Sequence, residues 1–544
     1  TTTFILMFTL IMYPLTLGIL MMIMNLFISM KLMLLNINIL NISIDMMFDW
    51  ISMIFMSTVM MISSMIILYS TYYISKNEHN LFLPLLLMFI LSMSILIISN
   101  NIFLILLGWD GLGLSSYILV IYYQNHPSAA SGSITLISNR MGDTLILISM
   151  SLMMMTMNWN LSMNKNFMMI PLILLLIATC SKSAQFPFSA WLPMAMTAPT
   201  PISALVHSST LVTAGVFILM RIMNYHPNST MIIMLISSAT ALYASMSANW
   251  EQDLKKIIAL STLSQIAMMM FAISLGSLIL TFSHLIIHAL FKSTMFMCAG
   301  IMIHESSYQD MRMMGMNSNN ILLASSIMGI SSMALMGVPF MSGFFSKDMI
   351  IENLISMKFE SILTFLMIIS IGMTASYTLR MIFHSNTYYF KSNPNTMNHT
   401  INNTFIPIML MAPLAITSGT WLNWTINPDQ MLYINPTYKT IIMMMLISGM
   451  MMGMLLSFKH KKYMKLGVSS ISLWFNHFLS VIIMKYSSPL MMLYSNNDKS
   501  WQELYGPHKS YMLSMQLSTI PELFKKNIMM ILIMMIIIPM IILL

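Results

Sequence analysis

Residues 181–215 read SKSAQFPFSAWLPMAMTAPTPISALVHSSTLVTAG and lie within a long apolar region of the chain. The stretch contains four prolines, at positions 187, 193, 199 and 201. Proline removes a backbone donor and breaks a helix, and a broken helix is tolerated at membrane depth only where protein or a water-filled cavity covers the freed backbone. The stretch therefore predicts an interrupted helix, with Lys182 beside the interruption.

A second interruption of the same kind lies at residues 337–348, which read GVPFMSGFFSKD. It again combines proline, glycine, aromatic residues and a Ser-Lys pair, here with Lys347, between apolar halves. Two broken helices with one lysine each, one in each half of a chain, are typical of transporters built from an internal inverted repeat.

The composition places the whole chain in a membrane. Of its 544 residues, 58% are hydrophobic and only 7% are charged, and the mean hydropathy is +0.80. Soluble domains are about 25% charged, so a water-soluble fold is excluded. Continuous apolar runs such as 81–99 and 528–544 favour helices over a barrel. The sequence predicts an all-α polytopic membrane protein with about 15 transmembrane helices, including the two broken helices in an inverted repeat.

The order of the apolar runs divides the chain into six parts. We expect N-terminal helices over 1–100, a first repeat half over 101–250, a second half over 251–390, additional helices over 391–460, an amphipathic lateral segment over 461–526 and a terminal anchor helix over 527–544. Prolines divide the lateral segment into two or three helical pieces.

Three local features complete this division. Residues 4–29 predict a retained helix rather than a signal peptide, because they lack a basic region and a cleavage site. The Asn-rich residues 31–48 predict a loop. The lysines at 459, 461, 462 and 465 indicate a positive-inside loop or, alternatively, a lipid-headgroup site.

Redox and nucleotide chemistry is excluded from the chain itself. Its two cysteines, Cys180 and Cys298, form no CxxC pair, and no GxxxxGK[ST] motif occurs. The glycines of GWDGLG at 108–113 follow no strand, so they are not a dinucleotide fingerprint. Any such chemistry must belong to partners.

The informative residues are the ionisable ones within apolar runs, because each costs about 2.5–3.5 kcal/mol at the bilayer centre if it is unpaired. Asp110 is expected to be the acid partner of a buried lysine, or else a helix-packing residue. Lys182 and Lys347 could instead extend to a membrane interface. The complete set is Asp110, Asp143, Lys182, His207, His284, His288, Lys292 and Lys347, with Lys255 near a helix start.

His284, His288 and Lys292 are spaced four residues apart, which places all three on one face of a helix. Three titratable groups in a row suggest a proton wire. Zinc is the alternative for the two histidines, but Lys292 would repel a cation. Opposite charges 4 Å apart interact by about 4 kcal/mol at an effective dielectric constant near 20, so a charge change at one site would bias proton occupancy at the next.

Six stretches resemble the antiporter-like membrane subunits of respiratory complex I. They are LGWDGLGLSSY at 107–117, NRMGD at 139–143, the quoted stretch at 181–215, DLKKIIALSTLSQIA at 253–267, SHLIIHALFKSTMF at 283–296 and GFFSKDMI at 343–350. The resemblance covers about residues 45–390, and 181–215 is its most specific part.

The resemblance implies a role for each matching residue. Asp110 takes the place of a glutamate in GWEG, one methylene longer. Asp143 matches the acid of the NR-GD motif, Lys182 the lysine of GKSAQ-type motifs and His207 the histidine of SALVH. The remaining matches are Lys255 with the DIKR lysine, His284, His288 and Lys292 with the HxxxHxxxK row, and Lys347 with Asp348 in the terminal SKD.

The resemblance further implies a core membrane-arm subunit of a proton-pumping NADH:ubiquinone oxidoreductase, driven by quinone reduction elsewhere. FMN, iron–sulfur clusters, NADH and ubiquinone are expected on partner subunits, and no cofactor or metal on this chain. Expected partners are other complex I subunits, especially neighbouring antiporter-like subunits under the lateral segment, and phospholipids, but no nucleic acid. The 73 methionines fit a mitochondrially encoded protein of the inner membrane.

Two alternatives remain open at this point. The motifs also fit the large subunit of a multi-subunit cation/proton antiporter without redox partners. The chain could also be a structural membrane brace whose titratable groups have no transport role.

Overall fold

Apolar stretches of about twenty residues form helices throughout the computed structural model. The chain divides into two units, residues 1–474 and residues 475–544. The residues described are 2–37, 40–153, 159–160, 169–225, 230–314, 322–358, 362–385, 402–426, 436–457, 467–469, 476–502 and 504–524.

The first unit contains fifteen long or medium helices among its described residues. The first eight are α1 (Thr2–Met24), α2 (Trp50–Tyr73), α3 (His79–Ile98), α4 (Ile102–Val120), α5 (His126–Met153), α6 (Met169–Lys182), α7 (Leu211–Tyr225) and α8 (Thr230–Ala248). The next seven are α9 (Leu254–Ser274), α10 (Leu278–Ser306), α11 (Leu322–Met336), α12 (Met349–Lys358), α13 (Ile362–Ser385), α14 (Asn402–Ile426) and α15 (Pro436–Ser457).

The loop predicted over 31–48 is wrong. This region forms an antiparallel hairpin of β1 (Ile28–Ile37) and β2 (Leu40–Phe48). The reason is visible in NINILNISID at 36–45, where apolar and polar residues largely alternate with the two-residue period of a strand. The hairpin is tied to the start of α4, because the Asn101 amide donates to the Ser43 carbonyl at 2.7 Å.

Both predicted helix interruptions are present. After α6 the chain passes through turns and a four-residue helix, Trp191–Met194, before the π-helical segment Ser203–Thr210 leads into α7. After α11, an irregular stretch at residues 337–341 precedes a second π-helical segment, Phe344–Asp348, which leads into α12. Single π-helical turns are rare and often mark functional sites.

The centre of the first unit is formed by α9, α10 and the π-segment with α7. Membrane-length stretches of all three are wholly buried inside the protein. Peripheral helices such as α1 and α15 are instead largely exposed, as expected for surfaces that face lipid. Close helix approach depends on small residues: a Cβ at Gly108 of α4 would lie 2.9 Å from the backbone nitrogen of Leu96 in α3.

The second unit contains most of the described part of the predicted lateral segment. It forms two α-helices, α16 (Asn476–Asn496) and α17 (Lys509–Phe524), with π-helical turns at Asn497–Gln502 and Leu504–His508 between them. Large apolar side chains of this unit, such as Leu490 and Met512, are exposed.

Eleven helices within the described ranges are long and apolar enough to cross a membrane. Two shorter apolar helices, α6 and α11, each precede an interruption. The terminal anchor helix over 527–544 and the lysine cluster at 459–465 lie outside the described residues. The total of about 15 spans therefore stays a prediction.

Replacement of Gly343 by alanine is expected to lower the thermal unfolding temperature of the solubilised protein. A Cβ at this position would lie 1.8 Å from the Ala334 carbonyl oxygen, which is backbone and cannot move aside. Overpacking of a buried site costs about 1–3 kcal/mol or more.

Gly329→Ala is the matched control, because no described heavy atom beyond the surrounding turns of its own helix lies within 4 Å of the new methyl group. Alanine is also favoured over glycine by about 1 kcal/mol inside a helix. Equal unfolding temperatures for the two variants would contradict the close approach at Gly343.

Candidate functional site

The candidate residues lie in the first unit, and most are buried among its central helices. Lys182, Lys255, Lys292, Lys347 and the three histidines are at most 4% exposed. Asp143 is also buried, whereas Asp110 and Asp348 are partly exposed. Burial of so many ionisable groups identifies this region as the candidate site.

Lys182 ends α6, where helix carbonyl groups favour a cation. Its Nζ donates to the Trp109 carbonyl oxygen at 3.1 Å and lies 5.0 Å from the centre of the indole ring. The ammonium group is therefore held by a neutral carbonyl and an aromatic face of α4.

Asp110 has a different partner from the expected one. Arg140 Nη1 lies 3.9 Å from a carboxylate oxygen of Asp110 and donates to Asp143 at 3.0 Å. Within the described residues no carboxylate oxygen lies within 4.0 Å of the Nζ of Lys182, which donates instead to the Trp109 carbonyl. Both carboxylates still interact electrostatically with Lys182. The first cluster is thus an Asp–Arg–Asp group beside a buried lysine.

Lys255 and His207 lie at the first interruption. The Nζ of Lys255, near the start of α9, donates to the Ala198 carbonyl oxygen at 3.2 Å. His207 lies in the first π-segment, and its ring meets the Trp191 ring edge-on at 6.1 Å. Neither ring nitrogen of His207 has a hydrogen-bond partner within the described part of the chain.

His284 connects three helical segments. Its Nε2 lies 3.3 Å from Oε1 of Gln265 on α9, and its Nδ1 lies 2.8 Å from Oγ of Ser346 in the second π-segment. An amide oxygen can only accept, so a neutral His284 donates from Nε2 and accepts from the Ser346 hydroxyl at Nδ1.

Lys347 follows Ser346 and is bound by neutral groups. Its Nζ donates to the Met336 carbonyl oxygen at 3.2 Å and to the Thr374 hydroxyl at 2.8 Å. His284 and Lys347 also interact electrostatically. The second interruption therefore brings one histidine and one lysine into a single cluster.

The predicted row on α10 is present, but its members are not equivalent. The rings of His284 and His288 lie 6.4 Å apart, and Lys292 donates to the Ser261 hydroxyl of α9. Both ring nitrogens of His288 lack a hydrogen-bond partner in the described ranges, and its ring meets the edge of Phe291 at 5.5 Å. The three side chains share one face without a direct chain of hydrogen bonds between them.

The structure thus brings the candidates together in three groups. One contains Lys182 with Asp110 and Asp143, and another contains His284, His288, Lys292, Lys347 and Asp348. In the third, His207 and Lys255 share only the first interruption, where their separate partners are Trp191 and Ala198. Across the described ranges, no three His, Cys, Asp or Glu side chains are placed to hold a metal ion.

Sequence reasoning missed the groups that hold the candidates in place. Arg140 was detectable, because it lies three residues before Asp143 on one helix. The others are polar or aromatic residues of common types that no local pattern singles out: Trp109, Ser261, Gln265, Ser346 and Thr374.

Three family models match the chain. Residues 34–82 match the NADH-ubiquinone oxidoreductase (complex I) chain 5 N-terminus, and residues 99–374 match the NADH:quinone oxidoreductase/Mrp antiporter transmembrane family. Residues 377–544 match the NADH dehydrogenase subunit 5 C-terminus.

A solved structure with a similar fold is that of the Mrp complex from Dietzia sp. DQ12-45-1b. The TM-score is 0.72 at 20% sequence identity, over 93% of this chain and 60% of that chain. This likeness concerns the fold, and it agrees with the antiporter-like helical architecture expected from the motifs.

Curated relatives are similar over most of their length. NADH-ubiquinone oxidoreductase chain 5 of Aedes aegypti is 40% identical over 87% of this chain and 85% of its own. The same subunit of Locusta migratoria is 40% identical over 88% of both chains. Together with the matched models, these relatives show that the chain belongs to the NADH-ubiquinone oxidoreductase chain 5 family.

Proposed function

We propose that the chain moves protons across the mitochondrial inner membrane along a relay of buried side chains. As a chain 5 member it is a polytopic membrane-arm subunit of the proton-pumping NADH:ubiquinone oxidoreductase. The driving reaction is quinone reduction in other subunits. The proposed relay comprises Asp110, Asp143, Lys182, His207, Lys255, His284, His288, Lys292, Lys347 and Asp348.

One observation supports this proposal above all. Of the described lysines, four are buried in the apolar interior, and the Nζ of each donates to a neutral oxygen. The acceptors are the carbonyls of Trp109, Ala198 and Met336 and the hydroxyls of Ser261 and Thr374. A carboxylate 4 Å from the Nζ would stabilise the protonated lysine by about 4 kcal/mol of Coulomb energy, which a neutral oxygen does not supply. With neutral acceptors, a charge change at a neighbouring site can decide whether the lysine keeps its proton.

The two interruptions supply part of this environment. Ala198 lies in the first interruption and Met336 is the last residue of α11, so their carbonyl groups are released from regular helix hydrogen bonding. A straight helix would have used both carbonyls internally. The irregular backbone thus provides acceptors for Lys255 and Lys347 at membrane depth.

The remaining parts of the proposal concern the assembly. FMN, iron–sulfur clusters, NADH and ubiquinone belong to partner subunits, and this chain carries no redox chemistry. Residues 101–250 and 251–390 form the two inverted halves. Neighbouring antiporter-like subunits lie under the lateral segment at 461–526, and phospholipids surround the exposed apolar helices.

A cation/proton antiporter subunit is the second candidate function. The fold shared with the Mrp complex fits it, but the match of residues 377–544 to a subunit 5 C-terminus favours complex I. Exchange activity in vesicles that contain the chain without flavin or iron–sulfur partners would favour the antiporter.

Lys182→Met is expected to reduce the rate of NADH-driven proton pumping in proteoliposomes that contain the whole complex. Methionine preserves much of the volume but cannot carry a proton. A reduction of about tenfold or more is expected, because positioned proton-transfer groups contribute factors of about 10² to 10⁴. Lys347→Met should behave alike.

The control for both variants is Lys256→Met. Lys256 neighbours Lys255 but is partly exposed and pairs with Asp253 at 2.8 Å. Normal pumping in both the Lys182 and the Lys347 variants would refute the relay and support a structural brace.

Arg140→Gln is expected to slow proton pumping about fivefold, the factor that corresponds to the roughly 1 kcal/mol of a partly exposed ion pair. Without Arg140, the carboxylates of Asp110 and Asp143 act unopposed on Lys182 and hold its proton more tightly. Pumping driven by NADH is the measurement, and Arg140→Lys should retain more activity than Arg140→Gln. Equal loss in both variants would show that the charge of Arg140 is not what matters.

A further inference from the structure

Two relay members on α10 have their hydrogen-bond partners on one face of α9. Lys292 donates to the hydroxyl of Ser261, and His284 donates to Oε1 of Gln265 at 3.3 Å. Ser261 and Gln265 are four residues apart and therefore neighbours on the helix surface. The direct route along α10 would pass through His288, whose ring nitrogens have no hydrogen-bond partner in the described ranges. A connection through α9 is the alternative.

Helix α13 contributes the Tyr377 hydroxyl to the same region as Ser261 and Gln265. Thr374 of α13 binds Lys347 at 2.8 Å, and Tyr377 follows three residues later on the same face. The Tyr377 side chain is 1% exposed, and its hydroxyl lies beside Ser261, Ser264 and Gln265.

Two polar atoms at this junction are buried without a hydrogen bond to any described residue. They are the hydroxyl oxygen of Tyr377 and Nε2 of Gln265. Buried polar atoms without partners are costly and uncommon, and each one calls for an explanation. Here the two atoms belong to neighbouring side chains, so each is a possible partner of the other.

We propose that the Tyr377 hydroxyl is a positioning group that links Ser261 to Gln265 and so couples the proton occupancy of Lys292 to His284. This inference rests on the proposed proton relay. It assigns to α13 a residue that neither the motifs nor the α10 row includes.

The coupling follows from the donor and acceptor capacity of each group. A charged Lys292 donates to Ser261, the Ser261 hydroxyl turns from the Ile258 carbonyl to Tyr377, and Tyr377 donates to Oε1 of Gln265. A neutral Lys292 accepts from Ser261, which accepts from Tyr377, which accepts from Nε2 of Gln265. The direction of this hydrogen-bond chain reverses between the two states. No covalent bond to a heavy atom is broken, and no proton passes through the Gln265 amide. Gln265 thereby holds His284 differently in the two states.

Tyr377→Phe tests this link, because it removes only the hydroxyl. In proteoliposomes with the whole complex, the protons pumped per NADH oxidised are expected to fall about fivefold. The abundance of the assembled complex should stay normal, which a variant that fails to fold or assemble would not allow. NADH oxidation by an artificial electron acceptor, which takes place on the partner subunits, should also be unchanged. Tyr69→Phe is the matched control, since Tyr69 is equally buried but belongs to α2, which contributes no relay residue.

A double variant makes the test specific. Ser261→Ala together with Tyr377→Phe should be no worse than the more severe single variant, because both act in one chain. Losses that multiply would overturn the link. If Tyr377→Phe does not assemble, Gln265→Met combined with Ser261→Ala tests the same chain from its other end by the same criterion.

The failure of this inference differs from the failure of the relay. Normal pumping in Tyr377→Phe with loss of pumping in Lys347→Met would overturn the Tyr377 link and leave the relay in place. Normal pumping in Tyr377→Phe, Lys182→Met and Lys347→Met would refute both.

Discussion

The cost of placing an ammonium group in an apolar interior is the constraint on which the structure depends. Four lysines meet it in the same way, through neutral oxygens rather than through a carboxylate within ion-pair distance in the described ranges. Neutral acceptors satisfy the N–H donors but supply little Coulomb energy, so the proton remains sensitive to charges nearby. A tight buried ion pair would have stabilised one protonation state and opposed transport.

The interrupted helices follow from this constraint. Regular helices consume their own carbonyl groups, and an interior built only from them would offer few acceptors. Prolines and glycines open the backbone after α6 and α11, and the released carbonyls of Ala198 and Met336 bind lysines. The open backbone is itself covered by α9 and α10, which are buried along their whole membrane-length stretches. The sites therefore need both the breaks and the central helices around them.

The two ends of the site use different chemistry. Around Lys182, a partly exposed arginine balances two carboxylates, so the local field depends on three formal charges beyond the lysine itself. Around Lys292 and Lys347, hydroxyl and amide groups dominate, and these can reverse their hydrogen bonds without a change in charge. In the proposed relay, charge changes at the first end and hydrogen-bond reversal at the second are two complementary ways to couple neighbouring proton sites.

The sequence by itself determined the features that are local along the chain. Composition determined the helical membrane class, prolines located both interruptions, and four-residue spacing put the α10 row on one face. Alternation at 36–45 also encoded the hairpin, although the Asn-rich composition suggested a loop. Only the tertiary structure decided that Arg140 meets Asp110, that Gln265 and Ser346 hold His284, and that Lys182 binds a carbonyl of α4. Those contacts join residues distant in the chain, and they depend on where helices cross, which no local periodicity specifies.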